Sequence, residues 1–322
     1  MTIYQVLTRL FGNDCTKCVP AGTKEENGCG TLAAFSGKAL DEIRSLGATH
    51  VWFTGLIEHA TQTDYSAWGI KPDCKDVVKG KAGSPYAIKD YYDVDPDLAT
   101  DVTRRMRELE NLISRTHKAG LGFIMDFVPN HVARQYHSDA CPEGVEDLGA
   151  NDDRTVAFST QNNFYYLPGR PLHLDYIVGR HSNYSEVPAK VTGNDCFTAW
   201  PGGIDWYETV KLNYGIDYQN GYRRCFTPHP DTWGKMLGIL LFWAAKGVDA
   251  FRCDMAEMVP VEFWHWAIRE VKKQYPDIIF IAEVYNPALY REYVRRGGFD
   301  YLYDKVGLYD TLRAVTRNEA SA

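Results

Sequence analysis

The sequence predicts an α/β protein of the (β/α)8 TIM-barrel type, reaching about six βα units and carrying a small inserted domain after the third strand. Apolar strand-like runs alternate with amphipathic helical stretches, the pattern of a parallel sheet with crossover helices. An open doubly wound sheet fits the same alternation, but no G-x-G-x-x-G follows a strand, which weakens that alternative. Over 132–228 the alternation fails in a polar and aromatic stretch, too long for a structureless loop inside a compact domain. In a barrel, a domain inserted there opens on the C-terminal face, where active sites sit.

The elements follow in order. The first strand is read at 3–10, then a Gly-rich loop, a helix over 37–46 and a second strand at 50–57. Val102, Met106, Leu109 and Ile113 share one face of a helix over 101–118, while Arg104, Arg105, Glu108 and Glu110 largely face water, so this is a surface crossover helix. The third strand is 121–128. After the insertion come a helix over 231–246 and a fourth strand at 248–253. Pro260 starts a helix with Phe263, Trp264 and Ala267 at helical spacing. The fifth strand is 278–282; a helix at 287–296, ended by Gly297 and Gly298, leads to a sixth strand at 301–306 and a last helix. The predicted organisation is barrel over 1–131, inserted domain over 132–228 and barrel again over 229–322.

Composition narrows the function. With 322 residues, 45% hydrophobic and 24% charged, the chain supports a sizeable core. A net charge of -7 leaves no basic stripe to track a phosphate backbone, so no nucleic-acid partner is expected. No apolar run approaches the roughly 18 to 20 residues that cross a bilayer. The first strand begins almost at Met1, leaving no room for a signal peptide, and a cytoplasmic location is expected. The eight cysteines are scattered, and most read as free thiols. Cys15, Cys18 and Cys29, with Cys74 or His59, offer zinc ligands, but paired-cysteine zinc sites show two tight pairs and here there is one. A cysteine-containing loop over the barrel mouth is the plainer reading.

Three strand ends carry the chemistry. The third strand ends Asp126-Phe127-Val128-Pro129-Asn130-His131, the fourth reads Gly247 to Asp254, and the fifth ends Ile281-Ala282-Glu283. At period two, Arg252 and Asp254 share one face, so the guanidinium can hold Asp254 ionised as a nucleophile. Glu283 on the next strand, facing another carboxylate in a cleft, tends to keep its proton and suits a general acid. Two carboxyls in those states, about 5 Å apart, are what a retaining glycosidase needs. On spacing alone, rim salt bridges explain the same residues equally well.

These three segments resemble the first, second and third conserved regions of glycoside hydrolase family 13, the α-amylase family, in the right order on the right strands. The resemblance implies a retaining hydrolase of α-glucosidic bonds in starch-like glucans or maltooligosaccharides. Asp254 would form the glycosyl intermediate, Glu283 would act as acid/base, Arg252 would orient the nucleophile, and His131 would bind the sugar being cleaved. The segment 83–96 is similar to the family's stretch after the second strand, where Tyr86 matches a tyrosine that stacks on that sugar. Asp126 and Asn130 would be structural neighbours of the site. An α-glucan transglycosylase, or a non-catalytic amylase-like binding or assembly protein, is the alternative.

The chain also departs from the family pattern. The family's calcium site pairs an Asn, matched by Asn130, with an Asp late in the inserted domain; in Val210-Lys211-Leu212-Asn213 a lysine stands there, and its ammonium takes the place of the cation. No metal or other cofactor is therefore expected. Met255-Ala256-Glu257-Met258 replaces the Lys-His that many amylases carry after the nucleophile, which leaves α-1,4 against α-1,6 cleavage, and hydrolysis against transfer, open. The family's fourth region, with its third carboxylate, has no counterpart, nor have strands seven and eight or the C-terminal β domain. The 322 residues alone are thus expected to be inactive, with open strand edges that invite pairing with another copy.

Overall fold

A computed structural model describes residues 1–321. Six parallel strands form a single curled sheet in chain order: β1 (Ile3–Leu7), β2 (His50–Thr54), β3 (Gly122–Phe127), β4 (Ala250–Cys253), β5 (Ile279–Ala282) and β6 (Tyr301–Leu302). This is a half-barrel in which β1 and β6 are free edges. Ile3 and Leu7 are more than a third exposed, and so is Tyr301, because among the described residues no strand pairs beyond them. The sixth strand is shorter than its apolar run predicts, since Asp304 caps a helical turn over Lys305–Tyr309 through the Gly307 N–H. The helix expected at 287–296 breaks into short turns that end at Gly298, whose φ of +89° a side chain would resist.

Four long helices cover the outer face: α1 (Gly37–Ser45), α2 (Arg105–Lys118), α3 (Asp231–Ala245) and α4 (Val261–Gln274). Ser36 caps α1 by accepting the Ala39 N–H. Leu109, Leu112 and Ile113 of α2 are buried, as are Trp233, Met236, Leu240 and Trp243 of α3. On the sheet, alternation assigns Phe123, Phe127, Phe251 and Phe280 to this main core. The opposite set, Ile124, Ala250 and Ile281, forms a small cluster inside the half-barrel with Trp52 and Tyr303 against it.

One element was not predicted. Ile57–His59 pairs antiparallel with Ile88–Val94, in which all seven residues are buried. Its polarity hid it: Lys89 lies 3.2 Å from Asp73, Arg105 pairs with Asp93, and Asp90 accepts from Ser138 and three backbone N–H groups. Buried charged residues break the apolar signature on which strand recognition depends.

The inserted stretch has its own core, around Tyr165, Leu167, Leu174 and Val191. It is tied to the barrel through a ribbon in which His131–Ala133 pairs with Thr209–Lys211. That ribbon straddles the boundary predicted between 131 and 132. Among the described residues no helix is long and apolar enough to cross a membrane. The thiols of Cys15 and Cys29 donate to backbone carbonyls, and the cysteines do not gather within reach of one ion. Their loop instead walls a cavity of about 630 Å³ with Arg9, Lys24 and Asp97.

Gly83 sets the path of the segment that carries Tyr86. Its φ is +74°, and a Cβ there would stand 1.7 Å from the Ala60 carbonyl oxygen. Gly83→Ala should destabilise the chain by about 2 kcal/mol or more, measured by urea unfolding. An unchanged midpoint would mean that the backbone relaxes freely at this turn.

Candidate active site

Sheet register builds the site in layers. Arg252 on β4 lies opposite Asp126 on β3 and Ile281 on β5. Two residues further on, at period two, come Asp254 and Glu283, one layer closer to the C-terminal mouth. The hydrophobic cluster of Ile124, Ala250 and Ile281 fills the floor beneath them. All four charged side chains are at most 6% exposed, so their charges must be balanced locally.

Arg252 supplies the balance. Its Nη1 donates to Asp126 at 3.0 Å and to Asp254 at 2.8 Å, its Nη2 lies 2.6 Å from Glu283, and its Nε donates to Tyr303 at 2.6 Å. The guanidinium carbon sits 5.0 Å from the centre of the Trp52 ring and 5.6 Å from that of Tyr86. Burial works against the charge on Arg252, but the surrounding acidic groups outweigh it and hold the guanidinium protonated.

Opposing influences act on Asp254. Burial pushes its carboxyl up to about 8; Arg252 pulls the other way, while Glu283 and Asp126 add like-charge repulsion. Asp126 is likewise pushed by burial, to about 6, with Arg252 and the Trp52 N–H opposing. One guanidinium is shared among three carboxyls, so its pull on Asp254 is offset by burial and by like charge.

His131 stands across the cleft as a neutral ring. Burial, joined by the Lys211 ammonium, drives its pKa down to about 3. Lys211 donates to Asn130 Oδ1 at 2.8 Å and lies 2.5 Å from Asp195, which turns the Asn130 NH2 toward the Gly193 carbonyl and His131 Nδ1. Nδ1 is then the acceptor, leaving Nε2 as the N–H donor.

Tyr86, His131, Arg252, Asp254 and Glu283 line a common cleft of about 440 Å³. Asp126 and Asn130 are not among its lining residues; they brace Arg252 and His131. The cleft also holds Trp206, Met255, Tyr285 and the pair Lys79 and Glu208, 3.0 Å apart, none of which the sequence singled out as site residues. Tyr285 was within reach, two residues beyond Glu283. Trp206 is one of several aromatics in the inserted stretch that could face a sugar, none of which the sequence sets apart, and Glu208 lies in a stretch without periodicity.

Residues 20–303 match the family model described as the α-amylase catalytic domain. The chain belongs to the α-amylase family. It is 26% identical over 311 residues to the α-amylase of Streptomyces lividans, covering 88% of this chain and 30% of that protein. It is 32% identical over 212 residues to the α-1,4-glucan:maltose-1-phosphate maltosyltransferase of Picrophilus torridus, covering 65% of this chain and 24% of that protein. The crystal structure of an α-amylase from Lactobacillus plantarum shares the fold with a TM-score of 0.56 at 21% identity, over 99% of this chain and 56% of that one. The amylase-family chain thus spans under a third of these curated relatives and about half of the solved structure.

Two outcomes test this electrostatic arrangement in the amylase-family chain. Folded, Asp254 keeps its proton to about pH 8; unfolded, it loses it near the ordinary value of about 3.9. Between these values unfolding releases a proton, so rising pH favours the unfolded chain, and Asp254→Asn removes that penalty. The melting-temperature advantage of Asp254→Asn should therefore grow from about pH 4 to about pH 8 and then level off; a difference independent of pH would contradict the buried, protonated carboxyl. At the second position, Lys211→Met strands Asn130 Oδ1 and Asp195 and should lower the melting temperature, whereas a chelator should leave the parent unchanged. A chelator-induced loss restored by calcium would mean that an ion, not the lysine, holds this corner.

Proposed function

We propose that the chain carries the reaction centre of a retaining α-glucan-active enzyme, with Asp254 as nucleophile and Glu283 as acid/base. What supports the reading is the placement of both carboxyls on one guanidinium, 2.8 and 2.6 Å from Arg252, at the mouth of adjacent strands in a cleft. That proximity fits the roughly 5 Å separation of a retaining pair rather than the wider gap that seats a water.

In the first step an Asp254 carboxylate oxygen bonds to the anomeric carbon, the glycosidic bond breaks, and the Glu283 proton goes to the departing oxygen. In the second, Glu283 takes a proton from water or from a sugar hydroxyl as that oxygen attacks the same carbon and the Asp254 ester bond breaks. Two inversions restore the original configuration. The Arg252 charge stabilises Asp254 as it leaves, the neutral His131 ring offers an N–H to a sugar hydroxyl, and the Tyr86 ring gives the sugar an aromatic wall. The maltosyltransferase kinship makes a sugar acceptor a specific second reading beside water.

In the enzyme, Asp254→Asn and Glu283→Gln should each lower turnover on maltooligosaccharides by at least about a thousandfold. An activated fluoro-glucoside should label Asp254, read by mass spectrometry of the digested protein. A label on Glu283 or Asp126 would overturn the assignment.

A further inference from the structure

Three residues that line the cleft take no part in the displacement proposed above: Lys79, Trp206 and Glu208. They arrive from two directions. Lys79 follows the short turn Lys75–Val77, whereas Trp206 and Glu208 end the inserted stretch where it joins the ribbon of His131–Ala133 with Thr209–Lys211. Trp206 sets them beside the reaction centre, because its ring centre is 5.1 Å from that of His131.

The segment that carries Glu208 is held rigidly. Arg134, 1% exposed, donates from its backbone N–H to the Glu208 carbonyl at 2.8 Å, from Nε to the Tyr207 carbonyl at 2.6 Å and from Nη2 to the Thr209 carbonyl at 3.1 Å. One buried residue thus fixes three successive carbonyls, and little loop freedom is left to lose when a ligand binds.

The Glu208 side chain is only 8% exposed, yet its carboxylate accepts no hydrogen bond among the described residues. Its Oε2 is enclosed beside Lys79, 3.0 Å from Nζ but outside hydrogen-bond geometry, which leaves Oε1 as the oxygen open to the cleft. Lys79 Nζ donates instead to the Asp205 carbonyl at 3.2 Å and stands 5.1 Å from the centre of the Tyr207 ring. Charge is balanced here while hydrogen-bonding capacity is not: a carboxylate keeps unused acceptors, and an ammonium keeps unused donors, next to an indole ring. An anion or a cation entering this corner is opposed by one member of the pair. A neutral polyol is opposed by neither.

We propose that Trp206, Glu208 and Lys79 form a second sugar-binding station beside the reaction centre, which takes the glucose unit adjoining the one cleaved and makes the substrate an oligosaccharide rather than a simple glucoside. The Glu208 carboxylate accepts from one sugar hydroxyl, the Lys79 ammonium donates to the oxygen of another, and the Trp206 ring covers the C–H face of the pyranose. Acceptor and donor are neighbours, so adjacent hydroxyls of one ring meet both. The inference rests on the glucan reading of the reaction centre and adds substrate length to it.

The test is titration calorimetry on the full chain with two neutral ligands: gluconohydroximolactone, which mimics the flattened ring at the reacting carbon, and a thio-linked maltotriose, which extends beyond it. Glu208→Gln and Lys79→Met should each weaken the trisaccharide by about tenfold and leave the lactone unchanged, since a charge-assisted hydrogen bond lost at the second station does not reach the first. A merely structural pair would weaken both ligands together. The Lys79 side chain is 37% exposed, so Lys79→Met decides the matter if Glu208→Gln does not fold. Equal losses for the two ligands, full trisaccharide affinity in either folded variant, or a parent that does not take the trisaccharide would overturn the proposal. Failure of the double-displacement reading would show separately, as undiminished turnover in the Asp254 and Glu283 variants of the enzyme, with both affinities still readable.

Discussion

A single buried cation governs this half-barrel. Arg252 is fixed by strand register between β3 and β5, and three carboxyls and a tyrosine hydroxyl converge on it. Burying that many charges is tolerable only because each acid has the guanidinium within 3.0 Å and the aromatic rings of Trp52 and Tyr86 stack around it. One positive charge cannot neutralise three acids, and burial beside the other carboxyls raises the Asp254 pKa.

Around this centre, polar groups buried for structural reasons carry the cleft wall. Lys211 between Asn130 and Asp195 fixes the tautomer of His131 from behind, without entering the cleft. The hairpin of Ile57–His59 with Ile88–Val94 carries a second charged cluster, in which Lys89 and Arg105 face Asp73 and Asp93, beneath the segment that presents Tyr86.

The parallel strands and long helices were legible because apolar periodicity encodes them, as with Leu109 and Ile113 on α2 or the run into Asp254 on β4. The hairpin was not, because Lys89, Asp90 and Asp93 are buried yet read as surface residues. Strand-end position brought Asp126, Arg252, Asp254 and Glu283 together on paper as it does in space. The donor set of each carboxyl lay beyond the sequence: Tyr285 and the Met255 N–H reach Glu283 through loop geometry that has no period.

The claim that Arg252 is the only counter-charge of the acidic cluster is tested most directly by counting protons. Potentiometric titration of the folded parent and of Arg252→Met should show the variant binding about one additional proton per chain at neutral pH, because two buried anions without a cation cannot both stay charged. An equal proton count in the two proteins would mean that the carboxyls are stabilised by something other than Arg252, and would contradict this account.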